Sequence, residues 1–210
     1  MLKPLFALLC VSFVFSQEKS EIIYKNETVI IKNRKDLEIE TTNIERRLIS
    51  KSKKREEYII SLPFDSFSEI TDIKGKTTVL KTDKNYNLSS YAITQFDAEQ
   101  ENIFKSDTKI KQFVMPSVED NSEIEFSYKT KLKQPRFLTL FRFQSSLKTR
   151  ASKLEIITDL SVEIGYQLMG ENQDKITFTK TTQDGKTCTL GKPQICQNLK
   201  AKKTCQVHLK

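Results

Sequence analysis

Period-two alternation is the strongest signal along this chain. From Glu123 to Lys133, Ile124, Phe126, Tyr128, Thr130 and Leu132 fall on one side, and Glu123, Glu125, Ser127, Lys129, Lys131 and Lys133 on the other. Successive side chains of a strand point to opposite faces, so this pattern predicts a strand with one face in the core and one in water. Ile124, Phe126, Tyr128 and Leu132 are therefore expected as structural core. Leu160, Val162, Ile164 and Tyr166 alternate with Ser161, Glu163 and Gly165, which adds Val162 and Ile164 to that core. Ile176 and Phe178 alternate with Thr177 and Thr179, and Leu37 and Ile39 with Glu38 and Glu40. Glu27 to Lys32 is a β-branched run, and Tyr58 to Leu62 is a short apolar strand ending at Pro63.

Turn residues fall between these runs. Asp72-Ile73-Lys74-Gly75-Lys76 ends one segment, with Gly75 available for a positive φ. Met115-Pro116-Ser117 and Glu119-Asp120-Asn121 bracket a turn before the long strand. Gly170 to Asp174 suits a hairpin loop between the Leu160 and Ile176 strands. Only Ala92 to Lys105 has helical character, and it is weak. The expected fold is all-β: an antiparallel β-sandwich with at most one short helix.

The first residues have a different character. Lys3 precedes Leu5 to Phe15, which is apolar except for Ser12. That stretch matches a secretory h-region and is too short for a membrane span. Residues 1–16 are expected to be a signal peptide cleaved after Ser16, with export to the periplasm, cell surface or exterior and no stable membrane insertion. Cys10 lacks the small residues before it that a lipidation site needs.

Charge then divides the chain. All 27 acidic residues lie between Glu18 and Lys186, together with 29 of the 35 Lys and Arg, so that stretch is close to neutral. The tail from Thr187 has five lysines and no acid. A near-neutral domain does not present a footprint for nucleic acid. Lys51, Lys53, Lys54 and Arg55 run into Glu56 and Glu57 and read as a solvated turn.

Candidate chemistry is sparse. Residues 20–186 contain neither Cys nor His, so a nucleophile there has no imidazole base. Cys188, Cys196, Cys205 and His208 lack the close cysteine pair of a zinc site, and three cysteines, an odd number, argue against a disulfide framework. Glu123 and Glu125 share the polar strand face, where a catalytic carboxylate pair is not expected. Asn26-Glu27-Thr28 and Asn87-Leu88-Ser89 match the short glycosylation pattern. No catalytic, cofactor-binding or metal-ligating residue and no cofactor are expected. Phe137, Phe141 and Phe143 form an aromatic group that reads either as a contact loop for a partner or as a loop packing on its own sandwich.

Three phrases carry a resemblance. SLPFDSFSEITDIKGKT is followed by FVMPSVEDNSEIEFSY and then by an aromatic stretch closing in Phe143-Gln144. In this order they resemble an exported bacterial domain of unknown function that lies N-terminal to transglutaminase-like domains. Asn121 stands where that family often has Gly. The resemblance spans about residues 20–186, and its motifs are structural. It implies a β domain whose catalysis, where present, belongs to a following transglutaminase-like domain.

The composition changes after Thr187. The resemblance implies a further strand with Tyr-x-Trp, then Asn-x-Pro, then an acidic stretch ending in Met-Pro. Read from the third base of the Thr187 codon, permitted wobble bases give these elements in that order. Residues 187–210 are accordingly expected to be a frameshifted basic tail without regular structure, leaving the strand near Ile176 with an open edge. The leading functional expectation is a non-catalytic exported module, truncated before its catalytic domain. The alternatives are a stand-alone secreted or surface binding protein and an enzyme of another type. The partner is not identifiable from the sequence.

Overall fold

The fold was obtained as a computed structural model, which describes residues 19–33, 37–50, 54–98, 107–133, 140–162, 164–169, 176–183, 186–193 and 204–209. The strands β1 (Glu21–Asn33), β2 (Leu37–Ile49), β4 (Ser68–Val79), β5 (Lys84–Asn87), β8 (Ser122–Leu132), β10 (Lys148–Asp159), β12 (Ile176–Gln183) and β13 (Lys186–Pro193) form an eight-stranded sheet. Its order is β12-β13-β10-β1-β2-β8-β4-β5. A three-stranded sheet holds β3 (Ile59–Phe64), β7 (Lys109–Val114) and β6 (Thr94–Asp97) in the order β3-β7-β6. Another holds β11 (Ile164–Met169), β14 (Thr204–Leu209) and β9 (Phe141–Arg142) in the order β11-β14-β9. The one α-helix among the described residues is a single turn, α1 (Arg55–Tyr58). The fold class is all-β, and its pairings are antiparallel except for β1 with β10, which makes the large sheet mixed.

Alternation explains how the layers meet. On β8, Ile124 and Phe126 are buried toward one small sheet and Leu132 toward the other. These residues share a parity, so both small sheets cover the same face of the large one. Ile49, Ile60, Leu62, Ile70, Phe113 and Met115 join Ile124 and Phe126 in one cluster. Val29, Ile31, Ile39, Phe141, Phe143, Leu154, Ile156 and Ile176 join Leu132 in the other. Val162 and Ile164 pack partly buried against that second cluster, and Tyr128 against the first. Pro63 lies on β3, an edge strand, where a missing backbone donor is tolerated.

Several sequence expectations are corrected. Leu160 to Tyr166 is not one strand: β10 ends at Asp159, Leu160 is 60 % exposed in the following turn, and β11 starts at Ile164. β11 and β12 lie in different sheets, so they are not a hairpin; the loop proposed at Gly170 to Asp174 lies outside the described residues. Where helical character was expected from Ala92, the chain forms β6 over Thr94–Asp97, and residues 99–105 lie outside the described ones. Backbone pairing with β7 outweighs a weak local propensity there. Residues 72–76 do not end a segment. β4 continues through them with an irregularity in register, and the positive φ falls on Asp72 at 52° rather than on Gly75. Gly75 is instead favoured by proximity, because a Cβ there would lie 3.0 Å from Leu88 Cβ and 3.2 Å from Met115 Sδ, and these neighbours would have to give by a few tenths of an ångström.

The tail is also corrected. Lys186–Pro193 is β13, paired to β10 on one side and β12 on the other. Thr204–Leu209 is β14, paired to β11 and β9. The Ile176 strand therefore has the partner that was expected to be missing. Backbone ladder bonds need no particular side chain, so a strand can form here despite low apolar content. Residues 194–203, with Cys196, and the signal segment 1–16 lie outside the described residues.

Candidate functional site

The inner face of the large sheet changes character along its strands. On β2 the inward positions run Ile39, Thr41, Asn43, Glu45, Arg47 and Ile49: apolar at both ends and polar between. The register aligns this polar stretch with its neighbours. Asn43 is opposite Glu27 of β1 on one side and Tyr128 of β8 on the other, and Glu45 is opposite Lys25 and Phe126. A polar band therefore crosses the face between the two apolar clusters, where neither small sheet seals it.

A cleft of about 520 Å³ opens over this band. Its floor includes Lys25, Glu27, Asn43, Tyr128 and Thr130; one bank is the β3–β4 turn, and the other carries Leu140 and Arg142. A neighbouring hollow of about 680 Å³, lined by Glu45, Arg47 and Arg55, shares Ser61, Leu62 and Tyr128 with it.

The turn that forms the first bank is tightly held. Asp65 Oδ1 accepts from the Phe67 amide at 3.0 Å and from Ser68 Oγ at 2.9 Å. Asp107 accepts from the Ser66 amide at 2.9 Å, and its hydrogen bonds to Ser66 hold its carboxyl below the usual range. The Lys133 amide donates to the Phe67 carbonyl at 2.8 Å.

Most inward charges of the face are engaged. Arg47 Nε pairs with Glu45 at 2.6 Å, and Arg47 Nη1 donates to the Glu57 carbonyl at 2.8 Å. The Lys25 ammonium lies 5.2 Å from the centre of the Phe141 ring, a cation–π distance. Glu27 is the exception: no hydrogen bond or ion pair among the described residues reaches its carboxyl group. Burial pushes that carboxyl up to about 7, opposed by the nearby charge of Lys25. Part of the side chain still opens on the cleft. Burial, with the charges of Glu27 and Glu45, raises the Tyr128 hydroxyl as well.

The residues singled out from sequence fall in several places. Ile124 is fully buried, Phe126 5 % exposed and Leu132 9 % exposed. Tyr128 is half-buried: it packs against the first cluster and also lines the cleft. Phe141 and Phe143 are buried, with ring centres 4.7 Å apart in an edge-to-face pair, so they form core and not an exposed contact loop. Phe137 lies outside the described residues. Gln144 exchanges hydrogen bonds of 3.3 Å with the Thr149 backbone, closing the loop between β9 and β10. Glu123 and Glu125 lie on the outer face, where Glu123 pairs with Arg46 and Glu125 accepts from the Tyr24 hydroxyl at 2.5 Å. Burial and then that bond push Tyr24 up to about 12.

Cys188 lies on β13 of the large sheet, while Cys205 and His208 lie on β14 of a small one. Among the described residues no cluster of His, Cys, Asp or Glu is arranged to hold a metal, and no helix is long and apolar enough to cross a membrane. The sequence reading passed over Glu27. Its signal was available: Glu27 shares the parity of Val29 and Ile31, which makes it an acid at an inward position.

The fold recurs among solved structures. A candidate protease from Parabacteroides distasonis superposes with a TM-score of 0.72 at 12 % identity over 90 % of this chain. This chain spans about two fifths, 40 %, of that protein's length. An M1 zinc metallopeptidase from Deinococcus radiodurans gives 0.37 at 6 % identity, over 90 % of this chain and 42 % of that one. A candidate nutrient-binding protein from Legionella pneumophila gives 0.39 at 8 %, over 91 % of this chain and 68 % of that one. The last two scores are too low to bear on this chain. No curated protein matches it in sequence. Residues 36–190 match the family described as a domain of unknown function with a solved structure, DUF3857, and the chain belongs to that family.

Proposed function

We propose that the chain is an exported, non-catalytic β module that works beside a transglutaminase-like catalytic domain and holds a ligand or partner. The observation that carries this reading is the cleft between the small sheets. Its floor brings together a carboxyl, an amide and a phenol, groups that orient a bound molecule by charge and hydrogen bonding. Placement beside a catalytic domain rests on the resemblance of the motif phrases, whose residues Phe113, Ile124, Phe143 and Gln144 themselves serve packing and loop closure. A likeness to part of a longer chain described as a candidate protease fits a module that accompanies catalysis performed elsewhere. Export rests on the apolar segment from Leu5 and the Val14-Phe15-Ser16 site.

The test uses the purified chain with casein, with and without a fluorescent primary amine. Neither proteolysis nor amine incorporation is expected. Thiol-dependent turnover that disappears on replacing Cys188 or Cys205 would overturn the non-catalytic reading. N-terminal sequencing of the exported protein should begin at Gln17, and an intact Met1 would overturn export. Sequencing the gene from the Lys186 codon onward tests the association, and a transglutaminase-like domain encoded downstream, in this frame or a shifted one, supports it. The cleft also favours a second reading, a stand-alone surface binding protein, which holds if no such domain is encoded.

A further inference from the structure

A β-sandwich closes where apolar side chains meet across its layers, and along one band this inner face does not close. Glu27 occupies an inward position there, with Leu154 and Asn43 opposite it on the two neighbouring strands and Tyr128 one strand further. A carboxylate taken from water needs a donor or a cation in exchange. Glu45 has Arg47, and Asp65 is engaged by its own turn. Lys25 directs its ammonium over the Phe141 ring and forms no ion pair with Glu27. The capacity of Glu27 to accept hydrogen bonds is thus unspent, and it opens on the cleft.

An independent feature lies at the mouth. Phe67 on one bank is 42 % exposed and Leu140 on the other is 43 % exposed. The turn bearing Phe67 is fixed by the bonds to Asp65, Asp107 and Lys133, so the backbone that carries this ring is held in place at the cleft edge. Apolar surface on both banks above a polar floor suits a ligand with an apolar stem and a polar head.

We propose that this cleft binds a primary ammonium group carried on an apolar stem, with Glu27 as counter-ion on the floor and the stem between Phe67 and Leu140. An ammonium has three donors; Glu27, Asn43 and Tyr128 line the cleft, and each has a side-chain oxygen that can accept. Arg142 stands exposed on the far bank, and Lys25 contributes positive charge on the floor, so the cleft accommodates one ammonium and any second charge on the ligand lies beyond the mouth. A lysine side chain of a polypeptide and a free alkyl diamine share this chemistry. The inference concerns the cleft alone and does not depend on a neighbouring catalytic domain.

The full chain is titrated by calorimetry at pH 8 with Nα-acetyl-lysine methylamide, with cadaverine and with Nα-acetyl-norleucine methylamide. At least one amine should bind, while the norleucine compound, which keeps the stem and lacks the ammonium, should not. Saturation by the lysine compound alone points to a polypeptide ligand, and saturation by cadaverine alone to a free diamine; either supports the site. Glu27→Gln keeps the shape and removes the charge, and it should weaken amine binding roughly tenfold or more, the loss of one charge-assisted contact. Leu140→Ser, at the mouth, should weaken it several-fold with Glu27 intact. Circular dichroism confirms that both variants keep the fold. Equal binding of the lysine and norleucine compounds, undiminished binding by Glu27→Gln, or no amine binding up to about 10 mM would each overturn the proposal.

Discussion

Glu27 illustrates how one residue links the fold to its chemistry. Its neighbours Val29 and Ile31 are 1 % exposed, and its own position on the sheet is equally inward. Protein surroundings favour the neutral acid, which is why its carboxyl is raised to about 7. The folded protein then keeps a proton that the unfolded chain releases above about pH 4.5. The Glu27 contribution to stability is therefore present at low pH, declines as pH rises from about 4.5 to 7, and is level above that. The charged and titrating groups around it are Lys25 on its own strand, Glu45 on β2, Tyr128 on β8, Asp65 in the β3–β4 turn and Arg142 on β9. Glu27→Gln should remove this decline and stabilise the chain at pH 7.5 by about 1–3 kcal/mol, read from urea unfolding at pH 5 and pH 7.5. A pH dependence of stability unchanged by the substitution would show that another group carries it. Periodicity made the inward Ile124, Phe126 and Leu132 legible, because apolar residues on one parity have one interpretation. Glu27 was not legible as a site, since the sequence places it inward without showing that the covering sheets part above it.

At the scale of elements, alternation located β8 and the first four residues of β2 and of β12, and an apolar run located β3, but two kinds of strand escaped both signals. β10 reads KTRASKLEIITD, and its inward Thr149, Ser152 and Thr158 are buried although polar. Hydrogen bonding satisfies such positions: Ser152 Oγ donates to the Phe143 carbonyl at 3.0 Å. β13 escaped because Gly191 and Pro193 and a change in composition suggested a break, whereas a strand between two others is specified largely by its ladder. Pro193 lies at its very end, where the missing donor matters least. This placement predicts the result of two truncations. A chain stopped after Pro193 loses β14 and keeps the eight-stranded sheet; one stopped after Gln183 also loses β13. The second removes the only strand paired with β12 among the described residues and bares the edge of the twelve-residue β10. An open edge of that length templates association. The shorter chain should melt lower than the Pro193 chain by roughly 6–12 °C, the equivalent of about 3 kcal/mol, and should aggregate on size-exclusion chromatography. If the two chains melt together and both stay monomeric, β13 contributes little to the sheet.

At the scale of the whole molecule, the described residues form two apolar clusters on one sheet. A likeness at TM-score 0.72 with 12 % identity fits a fold set by the pattern of inward positions more than by the residues that fill them. The fold class followed from that pattern, while the division of one covering layer into two small sheets did not, because pairing of distant strands leaves little local trace. The division raises the question of whether the two ends unfold separately. Phe126 meets Phe113 edge-to-face at 6.3 Å in one cluster, and Phe143 meets Phe141 at 4.7 Å in the other. The clusters nevertheless share their strands: β2 supplies Ile49 to one and Ile39 to the other, and β8 supplies Ile124 and Leu132. Losing either cluster frees one end of both strands, and their ladder bonds run without a break in register from Ile39–Leu132 to Ile49–Ser122. Unfolding should therefore be a single cooperative transition. Phe126→Ala and Phe143→Ala should each lower stability by about 3–5 kcal/mol and shift one common urea midpoint with little change in slope. Tyrosine fluorescence and far-ultraviolet circular dichroism, followed in the same titration, decide the matter. Coincident curves in both variants mean that the polar band couples the two ends through the sheet. Two separated transitions, with each substitution moving only its own, would mean that the band divides the domain into independent halves.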